Sequence, residues 1–170
     1  MSVPCSSCTA KCCKNYDVFI DHEDLNISED LSFIKKIKYN KSFGYVPKFS
    51  LWENGKKKKW VLCLNNPDKV CQFLIDDKCS IYEIRPLICK TYPHFVDKDK
   101  IKTMKNLCPL KWNLNKEQEK ILKLNYKNLL VNFLAFETIC DEWNKIVTKK
   151  DNLENFLIFV KNYKFNDYRS

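Results

Sequence analysis

Apolar positions along the chain follow two different rhythms. In the last third, Leu122, Tyr126, Leu129, Phe133, Phe136, Cys140, Trp143 and Val147 step by alternating fours and threes, which predicts one long helix with a single apolar stripe. Leu153, Phe156, Leu157 and Val160 repeat the pattern after Asp151-Asn152, which predicts a second helix that starts at an Asp or Asn cap and runs antiparallel to the first. Before about Leu110 to Asn115 the helical period is lost, and short apolar runs alternate with turn residues. "VPKFSLWE" and "WVLCL" flank Asn54-Gly55 and the run Lys56 to Lys59, the pattern of a hairpin closed by a type I′ turn. The expected fold is α+β in a single small domain. Residues 1–110 form an irregular cysteine-rich region with short hairpins, and residues 111–170 form a helical brace within the same domain.

Composition narrows this picture. A chain of 170 residues at 45% hydrophobic can build a core without cross-links. The N-terminus lacks a cationic segment followed by an apolar run, and no window reaches the roughly 18 apolar residues of a membrane span. A cytoplasmic location is therefore expected, with no membrane partner. The formal charge of +9 comes from 28 Lys and only two Arg, Arg85 and Arg169, which reads as a Lys-biased composition more than a nucleic-acid face. The Lys56 to Lys59 run is read as solvated hairpin arms, and nucleic acid is not an expected partner.

The cysteines change the picture most. Ten are present, nine of them before Leu110, and four stand within "PCSSCTAKCC". In a reducing compartment such bunching points to metal binding rather than disulfides. Cys5, Cys8 and Cys12 are spaced by three and four, so a helical segment would set them on one face. The adjacent Cys12 and Cys13 would point in different directions from such a helix and suit different metal atoms. Further on, Cys71 and Cys79 flank Asp76-Asp77 as a hairpin would, Cys89 follows a helical turn read as capped by Ser80, and Cys108 completes the set. The candidate metal ligands are Cys5, Cys8, Cys12, Cys13, Cys71, Cys79, Cys89 and Cys108. Lys11, Lys14 and Lys90 adjoin them and would favour thiolates. Cys140, on the helix stripe, and Cys63, in a strand, are read as packed core residues.

Arg85 stands in the middle of the cysteine region of a chain that otherwise chooses Lys. A planar forked donor there could tie backbone carbonyls or Glu83 into the support of a centre, or bind a carboxylate or phosphate cofactor. His94 is read as an aromatic-like packing residue that could replace a thiolate, and His22 as a surface residue at a helix start. No Ser/His/Asp set, paired carboxylates or phosphate loop supplies a separate catalytic engine, and Gly44 and Gly55 do not form a Gly-rich cofactor turn.

"CxxCxxxCC" near the N-terminus, then "CxFLxxxxCxIYExRPxxCxxYP" over Cys71 to Pro93 and a further Cys, resembles the YkgJ-type cysteine-cluster family of zinc- or iron-chelating domains. The likeness runs from Cys5 to about Cys108. The usual motif has two residues, not three, before the paired cysteines, and His94 stands where an aromatic is usual. With "FIDHEDL" after it, the N-terminal stretch also resembles the cysteine region of flagellin lysine N-methylase (FliB). The family likeness implies a metal partner. The methylase likeness implies methyl transfer to a protein-lysine substrate, with S-adenosylmethionine as cofactor. The reading from the residues is a metal-binding protein whose thiols hold an iron–sulfur cluster of [4Fe-4S] type in preference to zinc. The alternatives are the methyltransferase and a zinc-stabilised interaction module.

Overall fold

The computed structural model describes residues 11–27, 30–43, 45–104, 108, 112–149 and 151–164. Strands β1 (Ile34–Lys38), β2 (Phe49–Glu53) and β3 (Lys56–Leu64) form an antiparallel sheet in the order β1-β3-β2. β2 and β3 are the predicted hairpin, with Glu53 paired to Lys56 across Asn54 (φ 50°) and Gly55 (φ 71°). Both turn residues are left-handed, as a type I′ turn requires, and Asn and Gly tolerate that conformation best. Lys56, Lys57 and Lys59 are exposed on the β3 arm, as expected.

Past the lysines β3 becomes fully buried, and its alternation feeds two apolar clusters. Leu62 and Leu64 pack with Phe49, Leu51, Phe136, Ile139, Trp143, Phe156 and Leu157. Val61 and Cys63 point to the other face and pack with Leu129 and Phe133. Cys63 is therefore a strand core residue, as read, and burial pushes its thiol up. Where β2 ends, Val18 to Ile20 take its place beside β3: Ile20 N–H donates to Leu62 O at 3.2 Å and Leu64 N–H to Val18 O at 2.9 Å.

Two small hairpins follow, β4 (Leu74–Ile75) with β5 (Lys78–Cys79) and β6 (His94–Asp97) with β7 (Lys100–Thr103). Helix α1 (Leu87–Thr91) lies between them. It starts later than expected and without the predicted cap. Pro86 occupies its N-cap, and Ser80 Oγ instead donates to Phe73 O at 3.0 Å. A proline disfavours helical conformation in the residue before it, so a helix cannot run from Ser80 through Arg85.

The long helix α2 (Lys116–Ile146) opens with a capping box: Asn115 Oδ1 accepts from Gln118 N–H, and Gln118 Oε1 from Asn115 N–H. Of the predicted stripe, Leu122, Leu129, Phe133, Phe136, Cys140 and Trp143 are buried and Ile139 joins them, while Tyr126 and the C-cap Val147 are only half-buried. Cys140 is fully buried in the first cluster, as expected. α3 (Leu153–Asn162) begins at Asn152, whose side chain accepts from Asn155 N–H. Phe156 stacks on Phe49, with ring centroids 4.1 Å apart, and meets Trp143 edge-on at 5.4 Å. The fold is thus a mixed α+β domain in which α2 crosses from the sheet to α1 and the β6–β7 hairpin. No helix among the described residues is long and apolar enough to cross a membrane.

Candidate metal centre

The Cys12–Cys13 turn hangs from the sheet through Tyr16 to Val18. It is a single turn, not a helix: Tyr16 N–H donates to Cys12 O at 3.1 Å. The two sulfurs accordingly do not diverge; they lie 3.9 Å apart. That is close to the edge of a thiolate tetrahedron, about 3.8 Å for metal–sulfur bonds of about 2.3 Å. The pair can therefore grip one metal atom or two adjacent ones. Its first proton leaves readily: the hydrogen bond from Cys13 holds Cys12 at about 6, and the same bond drives Cys13 far up.

The turn is tied to the second half of the constellation twice. Cys71 N–H donates to Cys13 O at 2.7 Å, and Lys14 pairs with Asp77 at the tip of β4–β5. Asp76 (φ 48°) and Asp77 (φ 59°) close the expected hairpin, but its register sets Leu74, not Cys71, opposite Cys79, and Cys71 lies just before the β4 strand. Cys89 comes from α1, where Leu87 and Ile88 pack on Leu129, Phe133 and Tyr126 of the second cluster. The long helix thereby sets the position of Cys89.

Cys12, Cys13, Cys71, Cys79 and Cys89 line one cavity of about 170 Å³. Its other walls are largely apolar, among them Val18, Leu64, Phe73, Ile81, Pro86 and Ile88, with Tyr16, Tyr82 and Tyr92 between them. Burial pushes Cys71 and Cys89 up, and the neighbouring thiols add to the shift. Thiols so placed ionise when a cation arrives to neutralise them. Among the described residues, no three His, Cys, Asp or Glu side chains converge on a single point. The donors lining it, five soft sulfurs with the ion-paired carboxylates of Asp17 and Asp77 and no histidine, suit zinc or iron, and the space exceeds what a bare ion needs.

Arg85 reaches this cavity. Its Nη1 donates to Tyr82 O, and its guanidinium lies 3.7 Å from the Tyr82 ring centroid. The carbonyl it ties down is that of Tyr82, and Glu83 is exposed. Lys90 interacts with Asp24, and Lys14 is taken by Asp77, so each of these lysines faces a carboxylate.

Other predicted residues lie elsewhere. Cys108 does not line the cavity; its Sγ accepts from Trp112 Nε1 at 3.4 Å. His94 is buried against the edge of Trp112, centroids 5.1 Å apart, with Nδ1 2.9 Å from Thr103 Oγ1. Burial lowers its basicity. His22 is not at the surface: its side chain is 13% exposed and its ring lies 6.2 Å from Phe136. Cys5 and Cys8 lie outside the described residues.

Sequence reading missed the aromatic walls and an acid pair behind the site. Asp21 is fully buried, and its Oδ1 accepts from Glu23 N–H at 2.9 Å. Burial and then Asp21 push Asp24 up to about 8. The only signal in sequence was two aspartates three apart directly after "DVFI".

Turn, hairpin and helix together bring five thiols to one cavity. The profile of the CxxCxxCC family, described as "Putative zinc- or iron-chelating domain", matches residues 4–109, and the chain belongs to that family. No solved structure matches it.

Proposed function

We propose that the chain holds an iron–sulfur cluster of [4Fe-4S] type in the cavity, in the reducing setting of the cytoplasm. Cys12, Cys13, Cys79 and Cys89 are its first four thiolates. Cys71 lies beside them, and Cys5, Cys8 and Cys108 support this centre or a second one. The observation that carries the reading is the cavity itself: five thiols around about 170 Å³ of largely apolar space. A single zinc ion needs four donors and no void, whereas a cluster needs both volume and a dry shell that tunes its potential. Arg85 positions the Tyr82 wall and offsets the negative charge of a thiolate-bound centre. Helices α2 and α3 brace the cysteine region as the C-terminal part of the same domain.

Anaerobically prepared protein is expected to be brown and to contain iron and acid-labile sulfide in similar amounts. Colourless protein with zinc and no sulfide, even after anaerobic reconstitution, overturns the proposal in favour of zinc. Cysteine variants test the ligand set. Cys79→Ala and Cys89→Ala should each lose bound metal. Cys140→Ala should keep full metal content and cost about 1 to 2 kcal/mol as a small cavity. Equal metal loss from Cys140→Ala in a urea-stable protein contradicts the assignment.

A further inference from the structure

α2 carries a second apolar stripe on the side turned away from the core. Leu124 is 56% exposed, Leu130 38%, Val131 53% and Leu134 57%. Leu124, Val131 and Thr138 recur every seven residues, and Leu134 lies three beyond Val131, the spacing of a helix–helix seam. A helix that merely covers a core is polar on this side. No described residue covers these side chains to that extent.

The charges flanking the stripe name the occupant. Its N-terminal half carries Lys120, Lys123 and Lys127 after Glu117 and Glu119 of the first turn, all exposed; its C-terminal half carries Glu137, Asp141 and Glu142 before Lys145 of the last turn. In a parallel pair like charges would meet. In an antiparallel pair centred at the level of Asn132, Lys123 opposes Asp141, Lys127 opposes Glu137, Glu119 opposes Lys145, and Leu130 opposes Leu134. The face is complementary to itself, as a two-fold interface requires. We infer that two copies of the chain associate through antiparallel α2 helices, with Leu124, Leu130, Val131 and Leu134 buried between them. Glu137 already takes Tyr45 Oη at 3.1 Å and Lys48 at 3.9 Å, and Lys145 takes Glu142 at 2.6 Å. Lys123 and Asp141 make no ion pair within the described chain, so they are the pair to test.

Sedimentation equilibrium of the full chain, purified anaerobically, should give twice the chain mass. Leu134→Glu should give the chain mass with an unchanged far-ultraviolet circular dichroism spectrum. Lys123→Glu and Asp141→Lys should each weaken association about tenfold, since two-fold symmetry turns two attractive pairs repulsive. Mixing these two variants should restore dimers, because each then meets its opposite charge twice. A wild-type chain at monomer mass overturns the inference, as does a dimer indifferent to Leu134→Glu. Single-charge variants that stay weak when mixed overturn the antiparallel arrangement.

Discussion

Stripping the metal should free the cysteine-bearing segments from the rest of the fold. With the centre removed under reducing conditions, amide exchange at 11–16 and 74–80 should rise by several orders of magnitude. β2, β3 and α2 should keep most of their protection. The reason is the distribution of apolar contacts. The sheet and the long helix share Phe49, Leu51, Leu62, Phe136 and Phe156, which need no metal. The Cys12–Cys13 turn is held to the second half by one backbone hydrogen bond to Cys71 and one exposed ion pair, with Cys13 only at the edge of the apolar cluster and Tyr16 tilted against Tyr92. Exposed pairs contribute about 1 kcal/mol or less, whereas a structural metal site can supply on the order of 10 kcal/mol. Hydrogen exchange followed by mass spectrometry reads this directly. Unchanged protection at the Tyr16, Leu74 and Ser80 amides, all hydrogen-bonded in the fold, after complete metal loss would sink the idea that the centre organises these segments.

Phe156→Ala should be the most damaging single change away from the centre, at about 3 to 5 kcal/mol. The ring is fully buried, stacked on Phe49 and in contact with Trp143 and Phe136, so it joins sheet, α2 and α3. Urea unfolding of metal-loaded protein measures the loss. Ile158→Ala on the exposed side of α3 is the control and should fall within about 0.5 kcal/mol of wild type. A small effect of Phe156→Ala would mean that α3 is only loosely attached.

The helices were legible because each buries one face, and a one-sided helix writes a period of three and four into its sequence. The two hairpins with Asn54-Gly55 and Asp76-Asp77 were legible because left-handed turns demand particular residues. β1 was not: "IKKIK" has no alternation, since Lys36 turns along Trp60, its Nζ 4.2 Å from the ring centroid, and pairs with Glu53. The β6–β7 hairpin was hidden in the same way, because its turn is Lys98-Asp99, with Lys in a left-handed conformation. At the site, spacing identified Cys71, Cys79 and Cys89. The approach of Cys12 to Cys13 depends on a single turn that opens at Cys12, whose carbonyl accepts from Asn15 and Tyr16 N–H, which the helical reading of "CSSCTAKCC" could not supply. His22 was misplaced because its burial comes from Phe136, more than a hundred residues away in sequence.

The central claim is that the clustered thiols bind several metal atoms together rather than one ion. X-ray absorption at the metal edge of anaerobically purified protein tests it most directly. The spectrum should show iron with a first shell of sulfur and a second shell of iron neighbours, and both shells should be lost together in Cys89→Ala. A zinc edge with a single shell of sulfur and no metal neighbour would contradict it.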